Sequence, residues 1–335
     1  MSRIVVFGLN NQSVGEIRAV AKIGWAISGG GSLNLVLPAD MAAQSWIQLG
    51  QCVYIEHKGL PGWAGVIDCP WGAIPPVTLT VYDIPYLLSL RAPEEAVTLS
   101  GTISELVIQM IAMANGFEDL FIQVGKIDKD KTVREFEVDE SPIWEQIQKL
   151  VQDAGMELMF RSMIGADNKL VTYIDVMTTL GKDTGFILQD GEKGNCNITG
   201  ATVDGDIWNR VIGQTGESTK PSQLVSGPVF DRASMRKYRL RNTLTTLESL
   251  DQSELDEDLA NYLAYYKAPR ITLTVEIRLS GVAFGHLRLG NTVRIRSTRV
   301  VLPGGIKGWD GEARITAMVF DESRGLVSMT VEGEL

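Results

Sequence analysis

Hydrophobic residues recur along this chain mostly at every second position. Near the start, Leu33, Leu35 and Leu37, then Val53 and Ile55, then Val77, Leu79 and Val81 alternate with polar neighbours. Near the end, Ile271, Leu273 and Val275, Val293 and Ile295, and Val327, Met329 and Val331 do the same. Alternation places one set of side chains on one face of a strand. Short alternating runs at close spacing predict small antiparallel barrels or sandwiches. Three stretches follow the helical period instead. Thr102-Ile103-Ser104-Glu105 is a capping box that opens an apolar helix running to Gly116. Ser141-Pro142 opens a second helix with Ile143, Trp144, Ile147, Leu150 and Val151 on one face and Gly155 as its stop. A third, from about Ser253 to Lys267, carries Leu255, Leu259, Tyr262, Leu263 and Tyr266 and ends before Pro269.

The strand blocks repeat. Leu49-Gly50-Gln51-Cys52-Val53-Tyr54-Ile55, Gly62-Trp63-Ala64-Gly65 and Val77-Thr78-Leu79-Thr80-Val81 occur in that order in the first part. Leu289-Gly290-Asn291-Thr292-Val293-Arg294-Ile295, Gly308-Trp309-Asp310-Gly311 and Val327-Ser328-Met329-Thr330-Val331 follow in the same order later, with longer connections. Each Leu-Gly is a turn in which glycine supplies a backbone angle that other residues resist. Gly-Trp-x-Gly brings a large ring over a barrel mouth or core, and the glycines allow close approach. Any one block is common in β proteins; three in order indicate duplication.

The expected fold is therefore α+β, mainly β: two related small antiparallel barrels with an α+β domain between them. Residues 1–90 form the first barrel, 91–180 the middle domain, and 181–217 with 268–335 the second barrel, in which Trp208-Asn209-Arg210-Val211-Ile212 is an early strand. A loop and helix, 218–267, interrupt the second barrel.

Composition narrows the function. The 335 residues carry 44% hydrophobic and 21% charged residues, ordinary values for a globular chain. No run is long and apolar enough to span a bilayer, and Ile4-Val5-Val6-Phe7 is too short for a signal peptide. Cys52, Cys69 and Cys196 have no paired spacing and are expected as buried free thiols. The formal net charge of -10 opposes a grip on nucleic acid, which needs a basic face.

Candidate chemistry is sparse. His57 and His286 are the only histidines, and neither has a ligand or triad partner at a useful spacing. No catalytic, cofactor or metal residue is assigned. Gly29-Gly30-Gly31-Ser32 leads into a strand and reads as a hairpin turn, not a phosphate cradle. Asp256, Glu257 and Asp258 are consecutive at a helix start, where carboxylates favour the helix dipole and do not share a face. The cluster Arg232, Arg236, Lys237, Arg239 and Arg241 is locally basic in an acidic chain. It reads either as a contact with phosphates or an acidic neighbouring subunit, or as an exposed strand or loop balanced by the acidic helix after it. An inter-subunit role is preferred, because one short patch does not overcome the net repulsion of DNA.

These features together resemble the hub proteins of bacteriophage tails and related contractile injection machines. The resemblance rests on Leu49-Gly50-x-x-Val53-x-Ile55 with Gly62-Trp63-Ala64-Gly65, on Trp208-Asn209-Arg210-Val211, and on Leu289-Gly290-x-x-Val293-x-Ile295. It implies a homotrimeric ring of six barrels in the virion tail, assembled in the host cytoplasm. Such a ring joins a hexameric tail tube or distal tail protein to a three-fold tip or spike. Its channel passes DNA, and a tape-measure protein is a further implied partner. No cofactor and no membrane insertion are implied. The last expected strand ends at Leu335, so any cell-wall-degrading activity is expected from a separate partner.

Two rival readings remain at this point. One is a carbohydrate- or receptor-binding tail-tip module using Trp63, Trp71 and Trp309 as sugar platforms. The other is a carboxylate-based cell-wall hydrolase.

Overall fold

The computed structural model describes residues 2–71, 77–128, 133–215, 223–247, 249, 252–278 and 287–335. The period-two runs at the start become β1 (Arg3–Phe7), β2 (Ser13–Ile17), β3 (Val20–Ala26) and β4 (Ser32–Leu37), then the single turn α1 (Ala39–Ala42). They continue as β5 (Cys52–Glu56), β6 (Trp63–Trp71) and β7 (Val77–Asp83). The strands lie in the order β3-β4-β7-β6-β5-β1-β2, antiparallel throughout. Leu33, Leu35 and Leu37 stand opposite Val81, Leu79 and Val77, and all six are buried in one core. The glycine run is the β3–β4 connection, as expected of a hairpin turn.

The middle of the chain folds as α2 (Pro85–Ser89), β8 (Val97–Gly101), α3 (Ile103–Phe117), β9 (Ile122–Ile127), β10 (Arg134–Val138), α4 (Ile143–Asp153), β11 (Glu157–Ile164) and β12 (Leu170–Met177). The capping box forms: Glu105 N–H donates to Thr102 Oγ1 at 3.3 Å, and Thr102 N–H donates to Glu105 Oε2 at 2.8 Å. Such a cap satisfies two donors that a helix start otherwise leaves open. The α4 face named by the helical period (Ile143, Trp144, Ile147, Leu150 and Val151) is buried. With α3 it covers Leu170, Ile174 and Val176 of β12 in a second core. That core also takes Val5, Phe7, Cys52 and Tyr54 from the outside of the first barrel, while Ile4, Val6, Val53 and Ile55 point inside it. Burial on both faces explains why Ile4-Val5-Val6-Phe7 is continuously apolar.

The remainder is β13 (Asp183–Gln189), β14 (Asn197–Asp204), β15 (Arg210–Thr215), β16 (Val225–Phe230), α5 (Arg232–Tyr238), β17 (Asn242–Leu247) and α6 (Gln252–Tyr266). It closes with β18 (Arg270–Arg278), β19 (Thr292–Leu302), β20 (Ile306–Asp321) and β21 (Leu326–Glu334). The order β14-β18-β21-β20-β19-β13 repeats β3-β4-β7-β6-β5-β1 strand for strand. One pairing differs: β13 runs parallel to β19, whereas β1 runs antiparallel to β5.

Two expectations are corrected here. Trp208–Ile212 does not start the second barrel: β15 pairs with β16 and β17 in a separate three-stranded sheet. Leu255 and Leu259 of α6 cover it at Gly213, so the insertion begins after β14 and has a small core of its own. The basic cluster, which the alternative to an inter-subunit role puts on an exposed strand or loop, starts as helix α5, because Asp231 accepts the Ser234 N–H at 2.8 Å and caps it.

The two barrels are joined directly. β20 is 16 residues long and extends past β19, so its far end keeps β21 on one edge and on the other pairs Ala317 with Ala26 through to Asp321 with Lys22 on β3. One 13-stranded sheet and one apolar core therefore run through both barrels.

Candidate assembly surface

The repeated turns superimpose in detail. Gly50 and Gly290 have φ of +82° and +81°. Gly50 N–H donates to Ile67 O at 2.9 Å, and Ile67 N–H donates to Gln51 O at 2.9 Å. In the second copy Gly290 N–H donates to Ile315 O at 2.8 Å, and Ile315 N–H to Asn291 O at 3.0 Å. Ile67 then faces Val81, and Ile315 faces Val331. Val53, Ile55, Val293 and Ile295 are all buried inside. The surroundings diverge: Leu49 is 49% exposed, whereas Leu289 is 8% exposed.

The two tryptophans do not occupy one repeat position. Trp63 stands opposite Ile55, and the residue opposite Ile295 is Gly311. Trp309 lies two residues farther out, opposite Ser297. A slip of two keeps the ring on the same face of the strand, which is why the short motif repeats while the register does not. Each ring covers the glycine two residues on: a Cβ at Gly65 would lie 2.4 Å from Trp63 Cη2, and one at Gly311 2.5 Å from Trp309 Cζ2. Both rings are buried in the barrel core.

Three parts of the chain meet around a cavity of about 30 Å³ lined by Trp25, Trp63 and Asp83 of the first barrel, Met159 and Ser162 of β11, and Leu289. Asp83 Oδ2 accepts the Gly31 N–H at 2.7 Å, and Asp83 N–H donates to Gly31 O at 3.0 Å. Asp83 Oδ1 and Trp63 Nε1 are buried with no hydrogen-bond partner among the described residues. Burial pushes the Asp83 carboxyl up to about 7, against the opposing pull of the Gly31 N–H. Above its ordinary value of 3.8 an unfolded Asp83 has released its proton while the folded one keeps it, so folding takes up a proton. Stability therefore falls as pH rises through that window and levels off above about 7. Urea unfolding should show a loss of roughly 2–3 kcal/mol between about pH 5 and about pH 8, and Asp83→Asn should remove most of that slope. An unchanged slope in the variant would show that another group carries it.

Polar side chains fasten the barrels to the middle domain. Asn11 is buried and mimics a strand neighbour: its Nδ2 donates to Leu170 O and its Oδ1 accepts Leu170 N–H, both at 2.9 Å. Ser28 at φ +49° donates its N–H to Leu158 O at 3.0 Å. Arg314 of β20 pairs with Glu157 and donates to Gly290 O at 3.1 Å and Leu180 O at 2.9 Å. Within the second barrel, buried Asp190 receives Arg299, Ile198 N–H and Ser297 Oγ; burial pushes its carboxyl up, but these donors outweigh it and hold it at about 2. Sequence reading assigned no role to Asn11, Ser28, Glu157, Asp190, Arg299 or Arg314, since each is recognised only by its distant partner.

Arg232, Arg236, Lys237, Arg239 and Arg241 are all exposed, and none forms an ion pair among the described residues. The carboxylates of the acidic helix start bond to serines instead: Ser226 Oγ donates to Asp256 at 2.8 Å and Ser249 Oγ donates to Asp258 at 2.7 Å. Fully buried Asn209 shapes the end of the patch, donating to Arg239 O at 2.7 Å and accepting Arg241 N–H at 2.8 Å. Arg232 lies 5.5 Å from the Phe230 ring centroid, and Lys237 4.9 Å from that of Tyr238.

His57 packs its ring on Phe320 of β20, centroids 4.7 Å apart, and His286 lies outside the described residues. Cys52 and Cys196 are free and buried, and burial pushes both thiols up to about 12. The side chains of Cys69 and Trp71 lie outside the description. Among the described residues no three His, Cys, Asp or Glu side chains gather where a metal ion would sit, and no helix is long and apolar enough to cross a membrane.

The fold is that of solved tail proteins. The chain matches prophage tail protein gp18 from Listeria monocytogenes EGD-e with a TM-score of 0.63 at 14% identity, over 98% of this chain and 94% of that one. It matches the prophage MuSo2 tail protein from Shewanella oneidensis with a TM-score of 0.61 at 14% identity, over 98% and 97%. It also matches the E. coli c3393 protein, with a TM-score of 0.54 at 11% identity, over 93% and 72%. That protein is a component of the type VI secretion system with structural similarity to the T4 bacteriophage tail proteins gp27 and gp5. No family model and no curated protein matches the sequence.

Proposed function

We propose that this chain is the structural hub of a phage-type tail. Three copies close into a ring of six barrels that joins a hexameric tail tube to a three-fold tip or spike, around a channel for DNA. The observation that carries this is the pair of barrels with one strand order, already joined edge to edge within one chain. Two similar but unequal units per chain are what a ring needs to present near six-fold symmetry on one side and three-fold on the other. The unequal surroundings of Leu49 and Leu289 and the insertion in the second barrel alone supply the difference. The net charge of -10 suits a lumen that DNA crosses without sticking.

The basic patch on and just after α5, which forms no ion pair among the described residues, is assigned to an acidic surface of a neighbouring subunit. Burial of Trp63 and Trp309 in the barrel core supports packing over the sugar-platform reading for those two rings.

Native mass spectrometry with negative-stain imaging tests the hub, on the chain alone and mixed with its tail-tube and tip proteins. The expected particle is a closed ring of three copies with a central opening. A chain that stays monomeric with both partners present would end the proposal.

A further inference from the structure

Three side chains that line the cavity of about 30 Å³ each carry a buried polar atom with no hydrogen-bond partner among the described residues: Trp25 Nε1, Trp63 Nε1 and Asp83 Oδ1. They come from three strands of the first barrel, β3, β6 and β7. Buried polar atoms in folded proteins are nearly always bonded, to protein groups or to ordered water. Three exceptions around one space call for a common partner.

Each of the three is held where it stands. Asp83 is fastened from two sides, since its Oδ2 accepts the Gly31 N–H at 2.7 Å and its own N–H donates to Gly31 O at 3.0 Å. The Trp63 ring lies across Gly65, where an added Cβ would stand 2.4 Å from Cη2. Trp25 sits on the strand that β20 covers, opposite Met318. The walls are fixed as well. Ser28, in the hairpin after β3, donates its N–H to Leu158 O at 3.0 Å, and its Oγ accepts the Leu158 N–H at 3.1 Å. Gly62 packs so closely on β11 that a Cβ there would stand 2.6 Å from Ser162 O. The space is therefore part of the fold and does not close by rotating one side chain.

The atoms define the ligand. Two indole N–H groups donate, and a carboxylate oxygen accepts. A cation is rejected by the two donors, and a halide by the carboxylate. A water molecule suits all three: its lone pairs accept both indoles, and one O–H donates to Asp83 Oδ1. The volume agrees, because a buried water needs a space of about 10–15 Å³ and two to four polar partners. Leaving three such atoms unbonded is far less favourable than immobilising one water.

The geometry points to a structural water site between Trp25, Trp63 and Asp83. The water ties β3, the strand on which β20 seats, to β6 and β7. It does so where Met159 and Ser162 bring in the middle domain and Leu289 the second barrel. The site does not depend on the hub reading.

A crystal structure of the chain that resolves ordered solvent, with a parallel bromide soak, tests this. One water should lie within hydrogen-bond distance of Asp83 Oδ1 and of at least one of the two indole nitrogens, with no anomalous peak in the cavity after the soak. A dry cavity overturns the proposal, as does a cavity closed by direct bonds between these atoms and protein groups. A bromide peak also overturns it and makes this an anion site. Trp25→Phe combined with Trp63→Phe keeps both ring faces and removes both donors. The water is then left with one of its three partners and should be lost; its persistence would show that the indoles do not hold it. If the double variant fails to fold, the wild-type chain decides in solution. There the Trp63 indole proton, identified by its loss in Trp63→Phe, should show a nuclear Overhauser effect to a long-lived water, and its absence overturns the site.

Discussion

Trp63→Ala is expected to destabilise the protein by about 3–5 kcal/mol, the range for removing a buried aromatic ring from a packed core. Trp63 is 3% exposed, and its ring lies across Gly65, where even one added carbon would meet it. Its removal uncovers the Gly65 backbone and enlarges the small cavity beside Asp83, between barrel and middle domain. Trp309→Ala should cost a similar amount, through Gly311 and Gly333, whose added carbons would lie 2.5 and 2.9 Å from the Trp309 ring. Leu49→Ala is the control: half-exposed at a turn, it should change stability by less than about 0.5 kcal/mol. Urea unfolding of the three variants gives the comparison directly. Native stability in Trp63→Ala would mean that the ring is not part of the core, and would reopen the question of a ligand on it.

Much of this fold was legible because it rests on local periodicity. The strands around Leu33, Val53, Val77, Ile271, Val293 and Val327, the Thr102 cap and the apolar face of α4 are each written within a few consecutive residues. Strand partners are not written that way. Nothing in Ala317–Asp321 states that this run, paired with β21 on one edge, takes β3 of the other barrel on its second edge, because any alternating strand offers the same backbone groups to any edge. The same limit misplaced Val211: its alternation is real, but its partners Val229 and Thr243 form a separate sheet. The tryptophan motif misled in a different way. Trp-x-Gly is a local packing unit of ring over backbone, so it recurs wherever a ring covers a glycine and does not mark equal positions in two barrels. The basic residues on and after α5 were legible as a cluster. That they form no ion pair among the described residues, with Asp256 and Asp258 bonded to serines instead, is visible only in the structure.

The inequality of the two copies has a sharper test in a matched pair of glycines. Gly50 and Gly290 hold the same turn with nearly the same φ, +82° and +81°, and the same two backbone hydrogen bonds. Alanine at either position pays for a left-handed backbone, about 1–2 kcal/mol. At Gly50 that is nearly the whole cost, since an added carbon meets only Leu9 Cδ2 at 3.6 Å. At Gly290 the added carbon would lie 2.3 Å from Leu180 O and 2.5 Å from Leu180 C, both backbone atoms that no side-chain rotation moves. Gly181 closes the same contact from the other side, where a Cβ would lie 2.1 Å from Gly290 C. Arg314, which donates to both Gly290 O and Leu180 O, would have to lose one of them as the segments part. Adding an overpacking cost of about 1–3 kcal/mol to the backbone term puts Gly290→Ala near 2–5 kcal/mol. Chemical denaturation of the two variants side by side should therefore separate them by roughly 1–3 kcal/mol. Equal losses would mean that the second barrel is no more tightly docked at this turn than the first, and that the two copies are closer to interchangeable than their surroundings imply.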